Sequence, residues 1–117
     1  MSLAAHPVTR TPIPTHLTPA ELMAAPLPPG RLSKLAFDAG EVELRYYAPA
    51  GSDNQTPHNR DELYFVVSGS GVFVREAQRM QFSLGDVLYA AAGEEHRFVD
   101  FSPDFAVWVL FYGAVKA

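Results

Sequence analysis

The fold is decided by residues 51–100, which read GSDNQTPHNRDELYFVVSGSGVFVREAQRMQFSLGDVLYAAAGEEHRFVD. Short apolar runs alternate here with turns that contain glycine, a pattern typical of β-strands. His58 and Glu62 stand at the head of one run, and His96 follows another run after a turn. Two strands that arrive at one place would bring both imidazoles and the carboxylate together. The stretch therefore predicts a metal site.

The composition limits what else the chain can contain. With 117 residues, 48% of them hydrophobic, it is long enough for one domain with its own core and too short for a second. Because cysteine is absent, any metal must be bound through nitrogen and oxygen atoms. The net charge of −4 and the scattered basic residues argue against nucleic acid as a partner. No apolar run approaches the roughly 20 residues that cross a bilayer, and no signal peptide is recognisable, so a cytoplasmic protein without membrane contact is expected.

The chain is predicted to consist of an N-terminal arm with one short helix, residues 1–30, and a β-barrel domain, residues 31–117. Thr18 is the predicted N-cap of the helix, Pro19 its first residue, and Glu21 the partner of the cap. Extended backbone before the helix is favoured by three prolines, Pro7, Pro12 and Pro14. Two histidines of the arm are expected to be exposed and without a role, His6 and His16.

From residue 31 onward the pattern predicts an all-β domain, because short β-type runs recur between turn signals and no helical period persists. Eight strands are predicted, over residues 32–37, 42–48, 63–68, 72–75, 80–83, 87–90, 96–101 and 105–112. The segment 68–71, Ser-Gly-Ser-Gly, favours a hairpin turn. Eight antiparallel strands indicate a jelly roll or small barrel. The last strand is apolar on both faces, so the N-terminal arm or a second subunit should cover its outer face, and a homodimer is expected.

Residues 85–100 resemble the second sequence motif of the cupin superfamily. That motif runs glycine, five residues, proline, any residue, glycine, two residues, histidine, three residues, asparagine. The chain keeps Gly85, Gly93 and His96 in their places, with Ala91 where the proline stands and Asp100 where the asparagine stands. The resemblance implies the cupin fold, a jelly roll or double-stranded β-helix, of the small single-domain type.

The segment around His58 resembles the first cupin motif, which has two histidines two residues apart, then a glutamate and a glycine. His58, Glu62 and Gly69 fit its second half, whereas Thr56 stands where the first histidine belongs. The resemblance therefore implies one divalent transition metal, Fe, Mn, Ni, Zn or Cu, bound by His58, Glu62 and His96. The alternative is a cupin that has lost its metal together with the first histidine.

Gln55 is a candidate for the missing ligand. Alternation along a strand would place Thr56, and not Gln55, on the face of His58. Pro57 disturbs strand pairing, however, and permits a bulge that turns Gln55 inward. Thr56 itself is the weaker candidate, because a neutral hydroxyl is a poor metal ligand.

Residues that share the parity of the ligands are expected to line a substrate pocket, because alternate side chains of a strand lie on one face. Tyr64 and Val66 follow the candidate glutamate, and Phe98 and Asp100 follow the second histidine. The last strand is expected to contribute Trp108 or one of its neighbours, Val107 and Val109.

Three charged positions are interpreted as lying outside the site. Arg45 alternates with Glu41 and Glu43, which favours a solvated, charge-paired outer face over binding of an anionic substrate. The pair Glu94 and Glu95 lies in a turn, where solvated carboxylates without a catalytic role are expected.

Two imidazoles and one carboxylate with open positions form the ligand set of non-haem Fe(II) oxygenases. Together with the cupin resemblance, this places a metal-dependent dioxygenase acting on a small organic substrate ahead of a metal-dependent sugar isomerase or epimerase. The other hypotheses are a barrel that binds a small molecule without catalysis and a barrel filled by its own aromatic side chains. The alternative to a metal site is that the histidines are structural and that Glu62 pairs with Arg60 or Arg97 at the surface.

Overall fold

The structure, a computed structural model, describes residues 13–116. Within them lie one helix and eight strands: α1 (Pro19–Ala24), β1 (Lys34–Asp38), β2 (Val42–Tyr47), β3 (Asp61–Ser68), β4 (Ser70–Arg75), β5 (Gln78–Ser83), β6 (Val87–Ala90), β7 (His96–Val99) and β8 (Ala106–Tyr112). Each of the eight predicted strands is present, with ends within two residues of the predicted ones. His6, Pro7 and Pro12 lie outside the described residues.

The strands form two antiparallel sheets, of five strands in the order β1-β2-β8-β3-β6 and of three strands in the order β5-β4-β7. Their inner faces share one core, whose buried side chains come from both sheets: Tyr47, Tyr64, Val66, Phe73, Phe82, Leu88, Ala90, Phe98, Phe105, Val107 and Val109. The fold is thus the expected all-β jelly-roll barrel.

The short helix lies where the sequence predicts it. The backbone N–H of Glu21 donates to Oγ1 of Thr18 at 3.3 Å, and the Thr18 hydroxyl donates to the Glu21 carboxylate at 3.0 Å. Leu22, the buried residue of the helix, packs with Tyr46 and Ala106. The helix thereby covers part of the outer face of the five-stranded sheet, as a strand that is apolar on both faces requires.

The expected place of Trp108 in the pocket is wrong. Its side chain packs with Leu22 and Tyr46 on the outer face, and its ring lies 5.6 Å from that of Tyr46. Side chains alternate along β8, so the two neighbours of Trp108 are the ones that enter the core, Val107 and Val109.

The predicted hairpin at residues 68–71 is also wrong, because β3 and β4 belong to different sheets. Gly69 has φ +81° and carries the chain across the corner between them. A Cβ atom on Gly69 would lie 2.6 Å from Cα of Phe105, so only glycine fits this corner.

Candidate metal centre

The three predicted ligands come from three segments that the fold brings together. Glu62 is the second residue of β3, His96 is the first residue of β7, and His58 lies in the loop between β2 and β3. The backbone N–H of Gly93 donates to the carbonyl of His58 at 2.7 Å, which ties that loop to the turn before His96. The two motif segments therefore meet at one end of the barrel.

One nitrogen or oxygen atom from each of His58, Glu62 and His96 lies within 4.8 Å of the others. Nδ1 of His58 is 3.2 Å from Oε1 of Glu62, and Nε2 of His96 contacts the same oxygen. Glu62 is 0% exposed and His96 5% exposed, whereas the His58 side chain is half-buried. The site is closed on the barrel side and reached from the side of His58.

One oxygen of this group, Oε2 of Glu62, is buried and has no hydrogen-bond partner within residues 13–116, whereas the equally buried Nε2 of His96 contacts Oε1 of the same carboxylate. Nδ1 of His96 lies 2.9 Å from the carbonyl oxygen of Glu94. A carbonyl only accepts, so Nδ1 carries the proton and, in a neutral ring, Nε2 presents its lone pair. A lone pair and a carboxylate that face each other in a buried place repel unless a proton or a metal ion lies between them, so this group could hold a divalent metal.

The contacts within the site stabilise the charged form of both Glu62 and His96. Burial alone would raise the pKa of Glu62, but the interactions with His58 and His96 outweigh it, and the pKa is lowered. Burial alone would lower the pKa of His96, but the contacts with Glu62 and the Glu94 carbonyl raise it. These contacts therefore favour the ionised carboxylate, which is the form that binds a metal, and also the protonated imidazole, whose proton a metal would displace.

Tyr64 holds the carboxylate in place. Its hydroxyl lies 2.7 Å from Oε1 of Glu62 and 3.1 Å from Oε1 of Gln55. Burial and the negative charge of Glu62 raise the pKa of Tyr64 well above its usual value. The phenol therefore stays protonated and acts as a hydrogen-bond donor.

Gln55 lies beside the three ligands although it is not on a strand. Residues 52–58 are irregular, so strand alternation does not govern this segment, and Gln55 is partly buried while Thr56 is exposed. The Gln55 amide nitrogen donates to Asp53 at 2.8 Å, which leaves its oxygen directed at Tyr64.

Sequence reasoning missed Asp53, which organises this loop. Its carboxylate accepts hydrogen bonds from Gln55, from the backbone N–H of Phe98 at 2.8 Å, and from the Tyr47 hydroxyl. Burial and the bond to Asp53 raise the pKa of Tyr47. The one local signal was an aspartate two residues before Gln55, which forms an Asx turn.

Of the remaining predicted pocket residues, two are buried in the core and one points outward. Val66 is 4% exposed and Phe98 1% exposed, and both lie in the core with Tyr64. The predicted inward position of Asp100 is wrong, because β7 ends at Val99 and Asp100 turns outward with φ +51°.

The expected solvation of Glu94 is wrong as well. Its carboxylate accepts a bond from Arg75 at 2.8 Å and one from the backbone N–H of Ala91 at 2.7 Å. These contacts stabilise the turn before His96.

The predicted outer position of Arg45 is wrong. Arg45, Glu43 and Tyr47 share one face of β2, and Tyr47 lies in the core. The side chains of Arg45 and Glu43 line a cavity of about 340 Å³ that opens beside His58. The prediction was wrong because the other face of β2 is apolar and alternation favours it as the inner one. In the structure the helix covers that apolar face.

The sequence pattern of the family described as "Cupin domain" matches residues 43–112. The chain belongs to the cupin family. A solved structure of KdgF from Halomonas sp. resembles this cupin with a TM-score of 0.61 and 22% identity, over 70% of this chain and 77% of the other. A cupin 2 conserved barrel protein from Salinispora arenicola has a TM-score of 0.60 and 21% identity, over 77% of this chain and 87% of the other. At these identities the two structures show the fold alone.

An uncharacterized protein of Streptomyces coelicolor is 42% identical to this cupin over 67 residues, 56% of this chain. The match covers 64% of the length of that relative. Within residues 13–116, no helix of this cupin has the length and apolar character needed to cross a membrane.

Proposed function

We propose that this cupin is a metal-dependent enzyme, a dioxygenase acting on a small organic substrate, with one divalent transition metal bound by His58, Glu62 and His96. The observation that carries the proposal is the convergence of three donor atoms within 4.8 Å, two of the residues being buried and Oε2 of Glu62 having no hydrogen-bond partner in the described chain. Replacement of a buried charged group by apolar side chains is often neutral or stabilising, so the presence of this group favours a functional role.

The residues present fit a divalent metal. Two neutral imidazoles and an ionised carboxylate are borderline-hard donors that suit Fe, Mn, Ni and Zn, and three ligands leave positions open. When bound, such a metal supplies sites for dioxygen and for oxygen atoms of a substrate. Tyr64 fixes the orientation of Glu62, and the Glu94 carbonyl fixes that of His96.

Gln55 is proposed as a fourth ligand or as a hydrogen-bonding partner of the substrate. Its amide oxygen lies 3.1 Å from the Tyr64 hydroxyl, which is itself 2.7 Å from Glu62. Tyr64, Val66 and Phe98 are proposed as the inner wall of the substrate site. This assignment is supported by their burial on the inner faces of β3 and β7.

The first experiment is elemental analysis of the purified protein together with His58→Ala and His96→Ala variants. His16→Ala is the matched control, because His16 is exposed and lies before the helix. We expect near-stoichiometric metal in the wild type and the control and its loss in the two ligand variants. Protein that is free of metal and that cannot be loaded with Fe, Mn, Ni or Zn would refute the proposal.

The reaction type is tested by loading the protein with Fe(II) or with Zn(II). Dioxygen uptake in the presence of a panel of small organic substrates should occur with iron and not with zinc, because zinc has no redox chemistry. Turnover of a substrate with both metals and without dioxygen uptake would replace dioxygenase by isomerase or lyase chemistry. Binding of metal and small molecules without any turnover would leave a non-catalytic binding protein.

The homodimer and the cytoplasmic location expected from the sequence are part of the proposal. The dimer is supported by apolar residues on the outer face of the five-stranded sheet, where Phe65 and Tyr89 are each 37% exposed and Val87 is 56% exposed. Light scattering of the wild type and of a Val87→Lys variant tests the dimer. A wild type that is monomeric at micromolar concentration would refute it.

A further inference from the structure

The cavity beside His58 is lined by three of the nine basic residues of a chain whose net charge is −4. These are Arg31, Arg45 and Arg60, and the one carboxylate among the lining residues is that of Glu43. The side chains of Arg45 and Arg60 are each only 12% exposed. The cavity therefore has an excess of positive charge in a partly dehydrated place, where a charge acts over a longer range than at the open surface.

Strand pairing places Arg45 on the same inner face as the metal centre. Arg45 and Tyr64 both pair with Val109, and Glu43 and Glu62 both pair with Phe111. Neighbouring strands lie about 4.8 Å apart, so the backbones of Arg45 and Tyr64 are about 10 Å apart. His58 lies between the two places, because its ring packs on Phe111 at 5.1 Å and also lines the cavity.

The two buried arginines, Arg45 and Arg60, differ in how many of their nitrogens already have hydrogen-bond partners. Arg60 uses all three of its nitrogens, on the carbonyls of Gly113 and Gly40 and on Glu43. Arg45 donates from Nε to Glu43 at 2.5 Å and from Nη1 to Ser33, whereas its Nη2 has no hydrogen-bond partner within residues 13–116. Arg60 therefore has a structural role beside Glu43, whereas Arg45 retains N–H donors that a ligand can use.

We propose that Arg45 binds a carboxylate group of the substrate, so that the substrate is a small organic acid. This inference rests on the proposed function: the acid group would lie at Arg45 and the reacting end at the metal centre, with His58 between them. Guanidinium is suited to this task, because its planar fork matches a carboxylate and remains charged at every relevant pH. Glu43 accepts from Nε of Arg45, so its negative charge competes with that of an incoming carboxylate.

The test measures binding of probe acids by isothermal titration to wild-type protein, in EDTA and after loading with metal. The probes are acetate, succinate, glutarate and adipate, with succinamide as the neutral control. Arg45→Gln should weaken binding of the best acid by at least about tenfold, as expected for loss of a charge-assisted hydrogen bond. Arg79→Gln is the matched control, because Arg79 is exposed on β5 and pairs with Asp100.

Glu43→Gln gives a second readout that a purely structural role of Arg45 would not produce. Removal of the one carboxylate in the cavity lining should increase the affinity for the acid by about twofold or more, because the competing negative charge is gone. Thermal unfolding of each variant shows that it is folded. If Arg45→Gln does not fold, the Glu43→Gln result decides the matter.

The outcomes separate this inference from the proposed function. Wild-type protein that binds none of the acids, or that binds succinamide as well as succinate, would overturn the inference even if metal is present. Unchanged acid binding in Arg45→Gln, or weaker binding in Glu43→Gln, would overturn it too. Acid binding that depends on Arg45 in a protein that takes up no metal would support the subsite and refute the metal-dependent enzyme.

Discussion

The two ends of the barrel interior solve the problem of burial in opposite ways. The aromatic end consists of side chains without a polar atom: Phe82, Phe98, Phe101 and Phe105. The polar end consists of side chains joined by hydrogen bonds and ionic contacts: Asp53, Gln55, His58, Glu62, Tyr64 and His96. Phe98 links the ends, because its ring contacts both Phe105, at 4.7 Å, and Tyr64, at 4.9 Å.

The cost of burial differs between the two ends, and this indicates which end stabilises the fold and which end has a functional role. Burial of aromatic rings is favourable without any partner group. A buried carboxylate and imidazole are costly unless every atom is paired, and Oε2 of Glu62 is not paired within the described chain. The aromatic end therefore provides the stability that allows the polar end to hold charged groups out of water.

The largest effect is expected from Phe98→Ala, which removes the ring that joins the two ends. The ring is 1% exposed and contacts Phe73, Phe82 and Phe105. We expect the free energy of unfolding to fall by about 3–5 kcal/mol in urea titrations of the metal-free protein. The control Phe65→Ala, on the outer face, should cost about 1 kcal/mol. Equal losses for the two variants would refute the special role of the aromatic end.

The second effect concerns the corner that packs against the aromatic end. Gly69→Ala would bring a Cβ atom to 2.5 Å from Oγ of Ser102 and 2.6 Å from Cα of Phe105. Strain from the positive φ and from overpacking should together lower the free energy of unfolding by about 2–4 kcal/mol. Gly85→Ala, with φ +92° and open space around it, should show only the conformational part. A Gly69→Ala protein as stable as the Gly85→Ala protein would contradict this account.

The third prediction sharpens the description of the polar end. Tyr64→Phe removes the hydroxyl that orients Glu62 and should weaken metal binding about 10- to 100-fold, the usual cost of losing a group that positions a ligand. Competition with a fluorescent chelator measures the affinity. Tyr89→Phe is the control, because Tyr89 is partly exposed on the outer sheet face. If both variants retain the wild-type affinity, Tyr64 does not position the ligand.

The smallest change in stability is expected when both members of the buried charged pair, Glu62 and His96, are replaced together. In EDTA, the double variant Glu62→Leu with His96→Leu should unfold within about 1 kcal/mol of the wild type or be more stable, because no buried charge is left unpaired. Tyr64 keeps Gln55 as its acceptor. His96→Leu alone should be clearly less stable, since it leaves the carboxylate buried without its imidazole. A double variant less stable than the single one would show that the polar end stabilises the fold.

Much of the fold could be predicted because its signals are local. Apolar runs of alternating parity and the turn residues between them depend on neighbouring residues only, and all eight strands were found in this way. The same parity correctly placed Tyr64 and Val66 on the buried face of Glu62. It was wrong for Asp100, where the strand ends one residue earlier and the backbone adopts a positive φ.

The predicted orientations of Arg45 and Trp108 were wrong because each lies on a strand whose outer face is covered by the helix. β2 has an apolar face with Tyr46 and a charged face with Arg45, and alternation alone favours the apolar face as the inner one. In the structure the helix covers Tyr46, and Arg45 lines the cavity beside His58. Trp108 was misplaced for the same reason, since both faces of β8 are apolar and both are covered.

The amino-acid sequence by itself determined the all-β fold, the eight strands and the identity of the three candidate ligands, because strand period and motif spacing are properties of the chain. Only the tertiary structure decided that the donor atoms converge, that Gln55 lies beside them, and that Arg45 turns inward. The physical reason is that these relations join segments far apart in the chain, as when Asp53 accepts from the backbone of Phe98. Such contacts exist only once two sheets have packed.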